Sequence, residues 1–389
     1  MREVEAVMKS SERVSALTLF SYFFRLSCTA LGGPLAYISM MEDECVERKQ
    51  WLSRDEFTEM LGVTNMLPGP NATEMAIHIG YVKAGRIGGV LSGLGFTAPS
   101  FFMILSLSWL YFRYSVTPSV GGLFYGVNPV VVAIILITAY RLARSSITDW
   151  RLLCLFSATL IAVYFTNINE ALILFASGLT GAFIYGPGLK KAFLGTLAFT
   201  FLAFPVLNYA FKGLPVEVLL FLEFLKAGSL MFGSGLVIIP LIGPDIVGAF
   251  KWMSYKEFMD GVTLGQVTPG PVMKTAAFVG YKVAGIWGAT VAFSGVFLPP
   301  FITVTLLAPF LRQVHGNAWL NGFLKGVRAG AAGAIFAVAG SMAQIAFPDI
   351  LTVIIAAASL MAMLRFKVNM SLLVIAAGAL GVLIKNPWV

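Results

Sequence analysis

LPGPNATEMAIHIGY, residues 67–81, lies with apolar sequence on both sides, and TPGPVMKTAAFVGY, residues 268–281, repeats it in the second half of the chain. Two prolines remove two backbone donors and each restricts the residue before it, while the glycine between them can take conformations closed to other residues. A helix cannot run through Pro-Gly-Pro, so both segments read as broken helices. Working outward, the same order recurs in both halves. Trp51-Leu52-Ser53 returns as Trp252-Met253-Ser254, GYVKAG at Gly80 as GYKVAG at Gly280, Pro99 as Pro299, and Gly126-Val127 as Gly326-Val327. Upstream, Arg25 and Gly32 correspond to Lys226 and Gly233. In an apolar chain such a repeat relates two halves around a substrate path.

Of 389 residues, 58% are hydrophobic and 12% charged, against roughly 25% charged in an average soluble domain. That balance cannot solvate a globular surface. Apolar runs long enough for a bilayer core of about 30 Å recur along the chain, and only helices or closed barrels satisfy their backbone there. The expected fold is an all-α polytopic integral membrane protein made of two homologous, inverted repeats: 1–189, a linking helix within 190–214, and 215–389. The first fourteen residues mix Arg, Lys and Glu and lead into an apolar stretch with no small-residue cleavage site, as in a retained first helix. Cys28, Cys45 and Cys154 are scattered and lack paired spacing, so neither a disulfide framework nor a metal site is expected. The net charge of +8 sits mostly at the ends of apolar runs, where it anchors loops to the cytoplasmic face; the remainder suits an anionic substrate.

The expected crossings of the first unit are 15–41, a broken segment 55–84, then 86–112, 119–143, 150–166 and 168–186, with the linking helix at 190–210. The second unit follows at 217–242, 255–284, 286–311, 318–345, 349–364 and 370–386. About thirteen crossings result if both broken segments span, and as few as ten otherwise. Spanning is favoured over re-entrant hairpins. It leaves Arg48, Lys49 and Arg54 on the side opposite the cluster Arg141, Arg144 and Arg151, a violation that hairpins would remove while moving Arg365 and Lys367 outside.

Chemistry concentrates at the breaks. A half-helix starting there has amides without internal partners and a positive dipole end, which suits an anion. The substrate-binding candidates are therefore Pro68, Gly69, Pro70, Asn71 and Thr73 in the first unit and Pro269, Gly270, Pro271 and Lys274 in the second. Thr64, Asn65, Gln266 and Thr268 add hydrogen-bonding groups just ahead of the breaks. Lys274 lies deep in an apolar segment, against the helix dipole; a substrate anion, a carboxylate or a snorkelling path to the interface are the open partners. Arg25 and Lys226, matched in the first helix of each unit, carry the same ambiguity. Glu74 and His78 share a helix face, either as a local pair or as a proton relay. Glu56 and Glu257, on the arms leading to the breaks, read as an interfacial face or as coupling-proton sites. Glycine-rich runs such as GRIGGVLSGLG suggest close helix packing. With no nucleophile–base constellation, phosphate loop or zinc motif, an enzyme is not expected, nor is a cofactor.

Phe24 through Gly32-Gly33-Pro34, then Val46-Glu47-Arg48-Lys49-Gln50-Trp51-Leu52, LPGPNATEMAIHIGY and GFTAPS resemble the chromate ion transporter family in its two-domain form. The second unit repeats the pattern at TPGP, GYKVAG and LPP, so the resemblance covers nearly the whole chain. It departs at Phe232-Gly233-Ser234-Gly235, where the first unit has Gly-Gly-Pro. The resemblance implies chromate transport, usually export conferring resistance, with a proton-motive-force link and a relation to sulfate. The matching positions are Gly32, Gly33, Pro34, Trp51, Pro68, Gly69 and Pro70, with Pro269, Gly270 and Pro271. The expected setting is a multi-pass protein of a bacterial inner membrane. Its partners would be a chromate- or sulfate-like oxyanion and lipid, with a homodimer as one assembly and no nucleic acid; an anion channel, or carriage of another anion, is the alternative.

Overall fold

The computed structural model describes residues 14–29, 34–65, 67, 69–114, 118–166, 168–186, 213–231, 235–307, 317–366, 368 and 370–385. The expected linking helix at 190–210, Pro68, Gly32, Gly33 and Gly233 lie outside these residues. The first half runs α1 (Ala16–Thr29), α2 (Pro34–Glu42, prolonged by a π-helical turn at Asp43–Arg48), α3 (Arg54–Thr64), α4 (Asn71–Tyr114), α5 (Pro118–Ser146), α6 (Trp150–Phe165) and α7 (Glu170–Tyr185). The second half repeats it as α8 (Val216–Leu230), α9 (Ile238–Pro244, with a π-helical turn at Asp245–Ala249), α10 (Tyr255–Val267), α11 (Thr275–Ile302), α12 (Ala318–Ala346), α13 (Ile350–Arg365) and α14 (Met370–Lys385). The correspondence reaches individual caps: Ser53 with Glu56 starts α3 with a reciprocal capping box, and Ser254 with Glu257 starts α10 with another.

Among the described residues, four stretches hold helices long and apolar enough to cross a membrane: 71–114, 120–146, 272–306 and 318–346. The first and third contain a reversal. At Ala84 and Gly85 the backbone leaves helical geometry, with Gly85 at φ 65°, and the chain turns back on itself. A Cβ on Gly80 would lie 2.3 Å from the Gly88 carbonyl oxygen, so only glycine permits this approach. Gly285, at φ 61°, does the same in α11, with Gly280 against Gly288. The expected boundaries at 84–86 and 284–286 coincide with these reversals.

The spanning reading of the broken segments is overturned. Along one continuous helix Glu257 and Lys282 would stand about 37 Å apart; their side chains form an ion pair at 2.7 Å. Phe278 likewise packs on Gly261, where a Cβ would lie 2.3 Å from the ring. The arms of the second break are therefore antiparallel, a re-entrant hairpin. In the first half Asn71 donates to the Asn65 side chain across the tip at 2.5 Å, and Lys83 interacts electrostatically with Glu56 at the base.

The expected single first crossings, 15–41 and 217–242, are corrected in the same way. Tyr22 and Met40 would be about 27 Å apart along a straight helix, yet the Tyr22 hydroxyl lies 3.5 Å from the Met40 carbonyl oxygen. In the second half the Lys226 ammonium sits 2.5 Å from Asp245. Each half thus opens with two helical hairpins, and the count of thirteen crossings, which needed the broken segments to span, falls. Apolar sequence on both sides of a break looks the same whether the arms continue or fold back. Arg48, Lys49 and Arg54 then lie at hairpin bases and cease to oppose the Arg141 cluster.

The long helices of the two halves pack antiparallel. Phe101 of α4 meets Phe293 of α11 with ring centroids 4.8 Å apart, while Gly93 faces Phe301 and Gly89 faces Thr305. Beyond this seam the halves interlock. α5 lies along α14, and α12 along α7, so each half lends its last helix to the other. Small residues make this contact possible: a Cβ on Gly126 would come within 1.8 Å of the Ala377 carbonyl oxygen, and one on Gly326 within 2.1 Å of the Ser177 carbonyl oxygen. Asp349, which caps α13, accepts a hydrogen bond from Tyr125 of the other half at 2.7 Å; that bond and the Thr352 amide hold its carboxyl below the usual range. Replacing Gly126 with Leu is expected to cost about 1–3 kcal/mol by overpacking, read as a lower thermal unfolding midpoint in detergent. An unchanged midpoint would show that the α5–α14 seam yields freely.

Candidate functional site

The two breaks are the tips of re-entrant hairpins, and both meet the opposite half: Gly69 and Pro70 are buried, and Pro269 and Gly270 half-buried. Gly69 donates its amide to the Met231 carbonyl at the end of α8, at 2.6 Å, and a Cβ on it would touch Pro300 of α11. Gly270, at φ 100°, donates its amide to the Tyr37 hydroxyl of α2 at 2.5 Å and faces Ser100 of α4 and Ser27 of α1. Pro300 and Ser100 are matched positions one residue past Pro299 and Pro99. Each tip therefore meets the same two elements of the other half.

The half-helices begin where Pro-Gly-Pro ends. Thr73 and Glu74 donate their amides to the Pro70 carbonyl at 2.8 and 3.1 Å, and Lys274 donates its own to Pro271 at 3.2 Å. The amides of Asn71 and Ala72, and of Val272 and Met273, precede the first intrahelical bonds. Thr73 is wholly buried and its hydroxyl makes no hydrogen bond. The Asn71 side-chain carbonyl and the Gln266 side-chain amide are likewise buried without a partner.

Lys274 is 0% exposed. Its ammonium donates to the carbonyls of Thr268, Pro269 and Gly270 at 2.7, 2.8 and 3.2 Å, so it caps the end of the arm entering the tip. Among the described residues no carboxylate pairs with it, which sets aside that alternative for its charge. Counting back from Gly80 and Gly280, Glu74 occupies the position in the first half that Lys274 occupies in the second. Glu74 is also 0% exposed, and neither carboxyl oxygen has a hydrogen-bond partner. A Cβ on Gly69 would lie 2.7 Å from Glu74 Oε1. The two breaks thus carry one buried acid and one buried base at matched places.

The remaining candidates lie elsewhere or do other work. His78 is buried one turn beyond Glu74, but no hydrogen bond joins the two. Glu56 and Glu257 cap the outer ends of α3 and α10, and Glu257 pairs with Lys282. Lys226 is held by Glu223 at 2.6 Å and Asp245 at 2.5 Å within the hairpin of α8 and α9. Arg25 is exposed on α1. Among the described residues no three His, Cys, Asp or Glu side chains gather as metal ligands.

One basic residue absent from the sequence candidates reaches a break. Arg328, part-way along α12 of the second half, donates from Nη2 to the carbonyl of Asn65, the residue that ends α3 ahead of the first tip. Its signal was present in GVRAGAAG: an arginine inside an apolar helix marks a functional position by default.

Long apolar helices, with hairpin tips seated against the opposite half, define a class: a polytopic helical membrane protein. The chain belongs to the chromate transporter family, whose profile matches residues 17–182 and again 218–382. It is 34% identical over 372 residues to a chromate transport protein of Cupriavidus metallidurans, covering 95% of this chain and 93% of that one. It is 35% identical over 384 residues to a chromate transport protein of Pseudomonas aeruginosa, covering 94% and 92%. An uncharacterised transporter of Bacillus subtilis is 30% identical over 174 residues, covering 44% of this chain and 95% of its own. No solved structure matches the chain.

Proposed function

We propose that this protein is a secondary carrier of small tetrahedral divalent oxyanions, chromate first and its analogue sulfate second, exporting them across a bacterial inner membrane. The observation that carries this reading is Lys274: a fully buried ammonium with no carboxylate partner among the described residues, beside a helix start. A dry charge of that kind is costly unless something compensates it. A divalent oxyanion does so while the amides after Pro70 and Pro271, with Asn71 and Thr73, replace its water.

The two halves act as inverted repeats, each of four crossings and two re-entrant hairpins. Movement of one half against the other opens the tips alternately to either side. Glu74 supplies the coupling proton, because a carboxylate beside the anion must be neutral for both to occupy the tip. His78, one turn outward, lies on the path that proton takes. Chemistry ends at binding and release, so no catalytic step is assigned.

In proteoliposomes the purified chain is expected to move labelled chromate with saturating kinetics, in competition with sulfate, and with a response to an imposed pH gradient. Flux that rises without saturation, at channel-like conductance, would replace the carrier with an anion channel. Absence of any oxyanion flux, with another anion carried, would move the substrate.

A further inference from the structure

Matched positions on the two interlocking helices carry different residues. On α5, Asn128 donates to Asp260 at 2.9 Å and accepts from Thr263 at 2.7 Å, and Asp260 also accepts from Tyr111 at 2.8 Å. Among the described residues that network is closed by neutral partners. On α12 the matched residue is Arg328, and its environment is open. It is half-buried, it bonds one carbonyl through one of its five N–H groups, and no carboxylate lies within ion-pair distance among the described residues.

No carboxylate pairs with Arg328 among the described residues; the tip beside that carbonyl carries the buried Glu74 carboxyl, against Gly69, and unused polar atoms. Asn65, whose carbonyl Arg328 holds, also accepts from Asn71 through its side chain at 2.5 Å. The free Asn71 side-chain oxygen and the Thr73 hydroxyl follow within the first turn of α4, with the amides that precede its first intrahelical bonds. A hydroxyl held fully buried without a partner fits a ligand oxygen.

We propose that Arg328 is an oxyanion-contacting residue of the first tip, supplied by the second half. One edge of the guanidinium keeps the Asn65 carbonyl, and the remaining N–H groups bind oxygens of the anion beside the amides of Asn71 and Ala72 and the Thr73 hydroxyl. The two tips then share one design, in which Lys274 and Arg328 each cap the arm entering a break with a cationic side chain. This rests on the oxyanion-carrier reading. A planar guanidinium can serve a carbonyl and an oxyanion at once; an ammonium at that place meets one or the other.

The test uses the full chain in proteoliposomes and in detergent, with sulfate and chromate as probes. For Arg328→Gln the KM for both oxyanions is expected to rise about tenfold or more, as for loss of one charge-assisted hydrogen bond. The stabilisation against heat that sulfate confers on the wild type should disappear. Arg328→Lys should raise KM by about threefold to tenfold while keeping the unfolding midpoint without ligand. Unchanged KM and an unchanged sulfate-dependent midpoint in either variant overturn the proposal, and Arg328→Lys alone decides if Arg328→Gln fails to fold. Wild-type protein that moves neither oxyanion would sink the carrier reading instead, which keeps the two failures apart.

Discussion

Lys274→Met is expected to lower oxyanion flux by about a hundredfold or more. The ammonium makes three hydrogen bonds to the carbonyls of Thr268, Pro269 and Gly270, and it is the fully buried cation of the second tip. Methionine keeps the length of the side chain but leaves those carbonyls without a donor, at about 1–3 kcal/mol for each group left unsatisfied. It also removes the charge that compensates a divalent anion. A buried dianion left without that charge, at about 3 kcal/mol, corresponds to about two decades in apparent affinity. Lys274→Arg separates the two contributions: it keeps the charge, but its larger planar head has to be fitted into a site where the lysine is 0% exposed. The checks are initial rates of labelled chromate uptake and the unfolding midpoint of each variant. Rates and KM equal to wild type in a well-folded Lys274→Met would remove Lys274 from the site and reduce it to a helix cap.

Glu74→Gln should uncouple transport from protons. The carboxyl is fully buried with both oxygens unpartnered, lies against Gly69 of the tip, and no cation neutralises it among the described residues. In that setting the neutral acid is favoured, and an adjacent anion favours it further. Glutamine reproduces the shape of the protonated acid and cannot release a proton. A gradient of one pH unit supports about tenfold accumulation for each coupled proton. In the variant that accumulation should vanish while exchange of external for internal oxyanion continues. Gradient-driven accumulation at the wild-type level in Glu74→Gln would falsify the assignment. His78→Gln serves as a companion, expected to slow coupled flux without abolishing it.

Much of the fold was legible because its causes are local. Two prolines around a glycine stop a helix wherever they occur, so both breaks could be placed from residue type alone. Ser53 and Ser254, three residues before Glu56 and Glu257, mark helix starts by a pattern that needs no tertiary partner. The segment boundaries at 84–86 and 284–286 fall on Gly85 and Gly285, since a tight reversal requires a residue that tolerates positive φ. Among the candidate site residues, Lys274 and Glu74 stood out for a local reason too: ionisable groups in apolar sequence are conspicuous.

Other features depended on what the chain meets after folding. Whether an arm continues through a break or doubles back leaves no trace in hydropathy, because both arms are apolar either way. The direction was settled by contacts such as Glu257 with Lys282 and Gly261 with Phe278. The fates of Arg25 and Lys226 were equally hidden, since matched positions in the sequence led one to an exposed face and the other into an ion triad with Glu223 and Asp245. Arg328 was overlooked because its partner, the Asn65 carbonyl, lies in the other half of the chain.

By itself, then, the sequence determined that this chain lives in a membrane, that it consists of two related halves, and that each half is interrupted at Pro-Gly-Pro. These follow from composition and from backbone chemistry within a few residues. Only the tertiary structure decided that the interruptions are hairpin tips seated against the opposite half, that the halves exchange their last helices, and that Lys274 and Arg328 cap the two breaks. Those outcomes turn on which surfaces are close enough to touch, and contact between distant residues is a property of packing that no local pattern encodes.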